Sequence, residues 1–523
     1  MHESAPRTRR CATSTAVLFV AALLPAQTPE APPVTFTEHV APIVFAHCTR
    51  CHRPGEIGPF PLTTYAEVRK RARMMVNVTE SGYMPPWHPV AGHGEFVGES
   101  RLTEAEIATL RRWVADGRPE GDPERLPPVP DYPDGWQLGE PDLVVSMAEG
   151  FAVPAGGPDI YRSFVVPLGL DEDRWLTAVE VRPGARSVLH HIIFAFDTTG
   201  DARRRDGEDG RPGFDGMRGG NRGNLGEGTA GLGGWAVGGQ PQHLPLGLAV
   251  KVPAGADLVL RSHLHPSGKP EVERTTIGLF FTDAPPQRTA VGLQMPPMFG
   301  VAAGLDVPAG EADFELRESF ELPVDALALT VGGHAHMICE EMQVTVTPPE
   351  GEPRSIFWID DWDFDWQNRY QYREPVALAA GTRVDVRIRY DNSADNPDNP
   401  FDPPRAIGWG LQSTDEMGSV TLLLVAKDES DSDRLSRAVR SYSRDALRGE
   451  GARTAVRASL VSQLKMLDRN GDGDVSADEI PARSRRLVLR LDTNRDGAVD
   501  AAEIRAFEDR VRGRESGDGG RRR

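Results

Sequence analysis

The spacing of apolar positions changes several times along this chain. An unbroken apolar run from Ala12 to Leu24 follows Arg7, Arg9 and Arg10 and ends at Pro25-Ala26-Gln27. A basic start, a short apolar stretch and a small-residue site together read as a secretory signal peptide over residues 1–26, with cleavage expected near Ala26 and an uncleaved anchor as the alternative. The run falls short of the roughly 20 residues a helix needs to cross a bilayer, and no later stretch reaches that length. Further on, Thr103 and Glu106 form a capping box ahead of a helix that Gly117 should stop. From about Asp142 to Ala426 the text turns to short alternating runs, such as Ser163-Phe164-Val165-Val166, Ala178-Val179-Glu180-Val181, Val344-Thr345-Val346 and Val384-Asp385-Val386-Arg387-Ile388. Turn residues separate them, which predicts an antiparallel all-β region of sandwich type. Residues 200–245 interrupt it with Gly-rich text that keeps no three-residue period, so a long surface loop is expected rather than a collagen-like array. Residues 428–455 read as a charged linker with a helical stretch, and the Gly/Arg end at 513–523 as a disordered tail.

Composition narrows the function classes. A chain of 523 residues is long for a single core, and 39% hydrophobic with 26% charged residues suits globular domains. The net charge of −18 argues against nucleic acid and anionic lipid as partners. Four cysteines, at 11, 48, 51 and 339, are too few for a disulfide scaffold.

Cys48-Thr49-Arg50-Cys51-His52 is a C-x-x-C-H run, in which two thiols can form thioethers to haem vinyl groups and the next imidazole can take the iron. A thiolate zinc site lacks the further cysteines it needs, and a redox C-x-x-C leaves His52 unexplained. Met84, in Tyr83-Met84-Pro85-Pro86-Trp87, offers a thioether as sixth ligand beside a stiff Pro-Pro turn, with His88 and His93 as competing candidates. Haem site, methionine loop and closing helix together resemble a small class I cytochrome c, an all-α domain over residues 33–120. A Pro-rich linker over 121–141 follows.

Three histidine pairs lie in the β region: His190-His191, His263-Leu264-His265 and His334-Ala335-His336. Side chains at i and i+2 of a strand share a face, so an H-x-H pair can close on one ion. Adjacent His190 and His191 would face opposite ways on an ideal strand, so joint ligation needs a bulge or a strand end there. The order of these clusters, followed by Thr414-Asp415-Glu416-Met417, resembles the copper type II, ascorbate-dependent monooxygenase family, which includes peptide-amidating and dopamine-hydroxylating enzymes. The resemblance covers about residues 142–427. It implies two antiparallel β-sandwich domains, 142–284 and 285–427, dividing near Ala284-Pro285-Pro286. It also implies two copper sites, one held by His190, His191 and His263, the other, catalytic, by His334, His336 and Met417. A thioether is a poor zinc ligand and favours Cu(I), so Met417 separates copper from zinc. His265 is left over, as a donor behind the ligands or an exposed residue. Peptide-amidating members carry Arg two positions before the H-x-H, and Asn and Tyr after the Met, where this chain has Gly332, Ser419 and Thr421. They are also disulfide-linked, whereas this region has only Cys339. Peptide amidation is therefore disfavoured. The segment Asp361-Trp362-Asp363-Phe364-Asp365-Trp366 is similar to the exported bacterial branch of the family.

Near the C-terminus, Asp468, Asn470 and Asp472, then Gly473, Asp474 and Glu479, follow the EF-hand calcium loop, and Asp492, Asn494, Asp496, Gly497 and Glu503 repeat it. The short interval between the loops leaves room for a single helix, so an EF-hand pair over 456–512 is expected to be compact and structural rather than an opening switch.

The fold class expected is thus multidomain: a small all-α cytochrome c domain, two antiparallel β-sandwiches and an α-helical EF-hand pair. The expected cofactors are haem c, two coppers and calcium. The expected activity is hydroxylation of a small molecule with O2, electrons coming from an ascorbate-like reductant or a redox protein and relayed by the haem. The expected location is periplasmic or secreted, with no membrane span in the mature chain. A multicentre electron carrier or copper-binding protein without oxygenase activity is the rival reading, and a calcium-organised surface module is a third.

Overall fold

The computed structural model describes residues 32–507 except 55, 57, 133–134, 217–233, 237–238, 450–451, 453–463, 465–466, 469–471 and 481. The expected signal peptide, the 513–523 tail and Asn470 lie outside the described residues. The rest comprises an N-terminal helical region, antiparallel sheets in two sandwich-like domains, and an EF-hand region. Among the described residues no helix is long and apolar enough to cross a membrane.

The helical region is built from α1 (Ala41–His47), α2 (Tyr65–Glu80) and α3 (Glu104–Ala115). Capping boxes open α2 at Thr64 and Glu67 and α3 at Thr103 and Glu106, satisfying amides that the first helical turn leaves free. Phe36, Val44, Val68, Leu110 and Trp113 meet in one core, each such side chain contributing about 1.5–3 kcal/mol on burial.

The first sandwich contains β1 (Leu143–Ser146), β2 (Phe151–Val153), β3 (Ile160–Pro167), β4 (Arg174–Arg182), β5 (Leu189–Asp197), the short helix α4 (Asp201–Arg205), β6 (Phe214–Asp215), β7 (Gly234–Ala236), β8 (Val250–Val252), β9 (Asp257–Leu264), β10 (Glu271–Glu273) and β11 (Thr276–Thr282). One sheet runs β1-β11-β4-β8 and the other β6-β3-β9-β5-β7. The interruption at 200–245 is therefore more than a surface loop. It supplies α4 and the two outer strands β6 and β7, and its Asp209 and Asp215 pair with the fully buried Arg162 of β3. That arginine needs acceptors because an unpaired buried charge is costly.

The second sandwich contains β12 (Ala290–Met295), β13 (Asp306–Val307), β14 (Phe314–Glu321), β15 (Ala326–Ala335), β16 (Cys339–Thr347), β17 (Arg354–Ile359), β18 (Arg369–Leu378), β19 (Arg383–Tyr390), β20 (Ile407–Gly408) and β21 (Gly418–Ala426). Its main sheets are β12-β21-β15-β18 and β14-β19-β16-β17. Strand β21 reads Val420-Thr421-Leu422-Leu423-Leu424-Val425 without polar alternation because both of its faces are covered. Val420, Leu422 and Leu424 point into this sandwich's own core, while Leu423 and Val425, with Leu329 of β15, join the core of the first sandwich.

Two stretches that the sequence assigned elsewhere belong to the second sandwich. Residues 88–97, expected within the helical region, run across it instead. Val90 donates to Trp358 O of β17 at 2.7 Å, Val97 donates to Gln371 O of β18 at 2.8 Å, and Phe96 is buried in the sandwich core. Strands β17 and β18 are the outer strands of the two sheets, so one segment covers both exposed edges. The charged stretch expected as a linker forms α5 (Ser432–Ala446), whose Leu435 and Val439 complete the same core. In the EF-hand region α6 (Ala482–Val488) lies between the loops, and β22 (Val475–Ser476) pairs antiparallel with β23 (Ala498–Val499).

Candidate metal centre

His190 and His191 sit near the start of β5, and His263 lies opposite His191 on the neighbouring β9. The β5–β9 register slips between Leu189 and His191, and this bulge is the irregularity that lets adjacent histidines turn to one side. One nitrogen from each of the three imidazoles can be chosen so that all lie within 4.8 Å of one another. Nδ1 of His190 and Nδ1 of His191 are 3.1 Å apart. Two nitrogens each about 2.0–2.1 Å from a tetrahedral ion lie roughly 3.3 Å apart, so the spacing suits shared ligation.

His263 is 1% exposed, and neither ring nitrogen has an aligned hydrogen-bond partner among the described residues. Nε2 faces Asp159 Oδ2 at 3.2 Å, which leaves Nδ1 for an ion. Asp159 also accepts from His265 Nδ1 at 2.7 Å and from Ser413 Oγ and N. Burial works against this carboxylate, but His263, Ser413 and His265 outweigh it and hold it far below the carboxylate range. His265 is therefore an exposed residue that steadies Asp159, which in turn faces His263.

The second set forms where β15 ends and the Asp-Glu-Met loop enters β21. His334 pairs in register with Ser419, and His334 Nε2 is 3.4 Å from Met417 Sδ. His336 follows β15, with Nδ1 3.2 Å from Asp415 O. Nδ1 of His334 faces Gln367 Oε1 at 2.5 Å. Each partner occupies one ring nitrogen and directs the other, which is how a ligand tautomer is set. Glu416 is fully buried and accepts from the amides of His336, Ile338 and Met417, tying the loop to the H-x-H segment. Burial pushes its carboxyl up to about 8 against those amide donors.

The two sets face each other across the boundary between the sandwiches, with the His191 and His334 ring centroids 6.0 Å apart. Burial pushes His190 down to about 3 and His334 to about 4, and holds His191 and His336 well below the usual histidine range. All four are neutral at ordinary pH, with lone pairs available for a cation. The donor set of imidazoles plus one thioether fits copper better than zinc.

At the C-x-x-C-H run, His52 Nδ1 lies 3.0 Å from Phe60 O, which leaves Nε2 for iron. A Cβ on Gly58 would stand 2.7 Å from that Nδ1, so this loop closes on the ring only with glycine there. Burial pushes the Cys48 thiol up to about 12 and raises Cys51 as well, the opposite of what a thiolate redox pair requires. The motif therefore fits haem attachment better than dithiol chemistry. Met84 follows α2 and donates its amide to Val78 O. Its rivals, His88 and His93, lie on the segment that crosses the second sandwich. Cys339 is buried and unbridged.

In the second calcium loop, Asp492 Oδ2 accepts from Gly497 N and Glu503 from Thr493 and Asn494, the turn that brings positions 1 and 12 together. In the first, Asp468 accepts from Gly473 N and Glu479 from Ser476. Asp472, Asp474, Asn494 and Asp496 line the same two turns. The sequence had not pointed to Asp159 or Gln367, and had marked Phe364 only as part of the Asp361–Trp366 segment. Their only signal was chemical type, because each meets its histidine across the fold.

Comparison with known proteins agrees at this end of the chain. The EF hand family model matches residues 460–480 and 489–507. No curated protein matches the chain. Solved structures overlay weakly. PNGase F, a glycosylasparaginase from Flavobacterium meningosepticum, is 8% identical over 55% of this chain and 96% of its own, with a TM-score of 0.24. The infectious bursal disease virus VP2 subviral particle is 7% identical over 58% of this chain and 76% of its own, with a TM-score of 0.17. Likeness that slight carries no argument about this protein. The C-terminal EF-hand pair is a calcium-binding unit, and the buried histidine cluster at His190, His191 and His263 has the geometry to hold a metal ion.

Proposed function

We propose that this chain is an exported copper monooxygenase that places one atom of O2 in a C–H bond of a small organic molecule. The observation that carries the reading is the meeting of a three-imidazole set with an imidazole-and-thioether set in the buried boundary of two sandwiches. His190, His191 and His263 would hold one copper, and His334, His336 and Met417 the other. Copper, when bound, supplies one-electron redox at each site, and the reaction consumes two electrons while the second oxygen atom leaves as water. Cys48, Cys51 and His52 would hold a haem c as electron donor, beside or in place of a small reductant.

The residues divide the work by chemistry. Burial keeps His190, His191, His334 and His336 unprotonated, so these four bind as neutral ligands. Gln367 and the Asp415 carbonyl fix the rings of His334 and His336, and Asp159 steadies His263. Met417 Sδ is soft and favours the reduced metal. Stacking of Tyr161 on His263 and Phe364 on His190 limits water around the first set. Gly332 stands where the peptide-amidating members carry arginine, which disfavours a peptide carboxylate as the substrate group.

The test is copper stoichiometry on the purified chain, followed by reductant-dependent O2 uptake with product analysis. Two coppers per chain and a hydroxylated product are expected, and Met417→Ala should abolish uptake with the haem spectrum intact. Copper and haem present without O2 uptake would make the protein an electron carrier, and calcium without copper would leave the sandwiches as a binding scaffold.

A further inference from the structure

The segment from Asp361 to Gln367 joins β17 to β18 and contributes nothing to either ligand set. It nevertheless touches both, and the helical region's outgoing loop as well. At its start, the Asp361 carbonyl lies 3.2 Å from Nδ1 of His88, on the loop that carries Met84. Nε2 of His88 is buried and has no hydrogen-bond partner among the described residues, so the contact with Asp361 is what orients this ring. Trp362 packs against Gly333, the residue before His334, where a Cβ would stand 3.0 Å from the indole ring. At the far end, the Phe364 carbonyl is 3.2 Å from Nε2 of His190, and the Phe364 ring stacks on that imidazole with centroids 4.4 Å apart. Gln367 donates to the same carbonyl at 3.0 Å and meets His334 through its other amide atom. One short peptide is thus hydrogen-bonded to the loop of the expected sixth haem ligand and to an imidazole of each metal set.

We propose that the segment Asp361–Phe364 is the route by which single electrons pass from the haem to the copper held by His190, His191 and His263. The inference rests on the haem and copper assignments above. Electronic coupling through covalent and hydrogen bonds falls off more slowly than coupling through open space. The route from His88 through three peptide units to His190 is bonded throughout. In the step, ferrous haem iron loses one electron and becomes ferric, and Cu(II) gains it and becomes Cu(I). No bond breaks and no proton leaves. The Nδ1 proton of His88 and the Nε2 proton of His190 stay on their ring nitrogens throughout, donated to the Asp361 and Phe364 carbonyls.

The experiment uses the full chain with haem and copper in place. A flash-generated flavin semiquinone reduces the haem, and reoxidation of the ferrous band is followed together with loss of the Cu(II) paramagnetic signal. The two amplitudes should match. His88→Leu should slow the transfer several-fold without changing the haem spectrum or the copper content. His88→Gln, whose amide can still donate to Asp361, should restore it. His93→Leu, on the same loop but packed on Trp358, should leave the rate alone. An unchanged rate in His88→Leu, equal slowing in His93→Leu, or a changed haem spectrum that makes His88 an iron ligand would each overturn the route. If the chain holds copper and consumes O2 with a small reductant while ferrous haem never reoxidises, the route alone is lost. If it holds no copper, the oxygenase reading fails first.

Discussion

The histidine centre and the EF-hand tail hold cations by opposite physics. In the sandwiches, imidazoles and a thioether are gathered away from solvent, and His190, His263, His336 and Met417 are all buried. The frame around them is folded by its own core. In the tail, oxygen ligands gather within short loops, where Asp472, Asn494 and Asp496 are exposed and Asp492 is half-buried. A small core of Val475, Ile480, Val499 and Ile504 lies beneath them. Crowded carboxylates repel until a cation arrives, so the tail should depend on its ion for stability while the sandwiches should not. A cation site set into a finished core is ready for redox work. A site that closes around its ion suits a structural role.

Removing one imidazole should break this contrast most sharply. His263→Ala is expected to lower copper from two ions per chain to one, read by metal analysis, with the second set intact. Retention of both ions would remove His263 from the ligand set. Chelating calcium comes next. Calcium at about 100 times its dissociation constant stabilises a domain by ~2.7 kcal/mol, so calorimetry should show the tail transition fall on chelation while the sandwich transition stays. Equal movement of both would erase the difference between the regions.

A smaller effect is expected from Gly418→Ala. A Cβ there would stand 1.8 Å from the Tyr390 hydroxyl, which donates to the Met417 carbonyl at 3.0 Å. Overpacking of this kind costs about 1–3 kcal/mol, measurable by denaturant titration, and should loosen Met417 before it affects the three-imidazole set. The smallest change lies outside both metal regions. Thr103→Ala removes the cap of α3 and should cost about 1 kcal/mol at neutral pH. Burial works against the Glu106 carboxylate in that cap, but hydrogen bonds from Thr103 outweigh it and hold Glu106 below its ordinary 4.5. Its stabilisation is complete above the unfolded value and is lost as pH falls through the lower folded one. The gap between the parent and Thr103→Ala should therefore narrow in acid, in thermal melts followed by circular dichroism.

Legibility in the sequence followed the distance over which residues cooperate. The calcium loops could be read directly, since ligands from Asp492 to Glu503 are held by one turn of chain. The strands were legible from alternation, and even the need for a bulge at His190-His191 followed from the two-residue period of a strand. The loop at 200–245 was misjudged because its strands are two or three residues long, too short to show a period. Residues 88–97 were placed in the helical region and α5 in a linker, since Phe96, Leu435 and Val439 do not announce which core they will enter.

The chain's own order of residues determined which groups are present: a C-x-x-C-H run, three histidine pairs, a methionine after Asp-Glu, and two acidic loops. Local stereochemistry is enough to turn these into helices, strands and calcium turns. Only the tertiary structure decided that His191 and His334 face each other, that Asp159 stands behind His263, and that the Asp361–Gln367 segment reaches His88, His190 and His334 together. Those meetings join residues far apart in the chain. They depend on how two sandwiches bury their shared strands, and no local pattern records that packing.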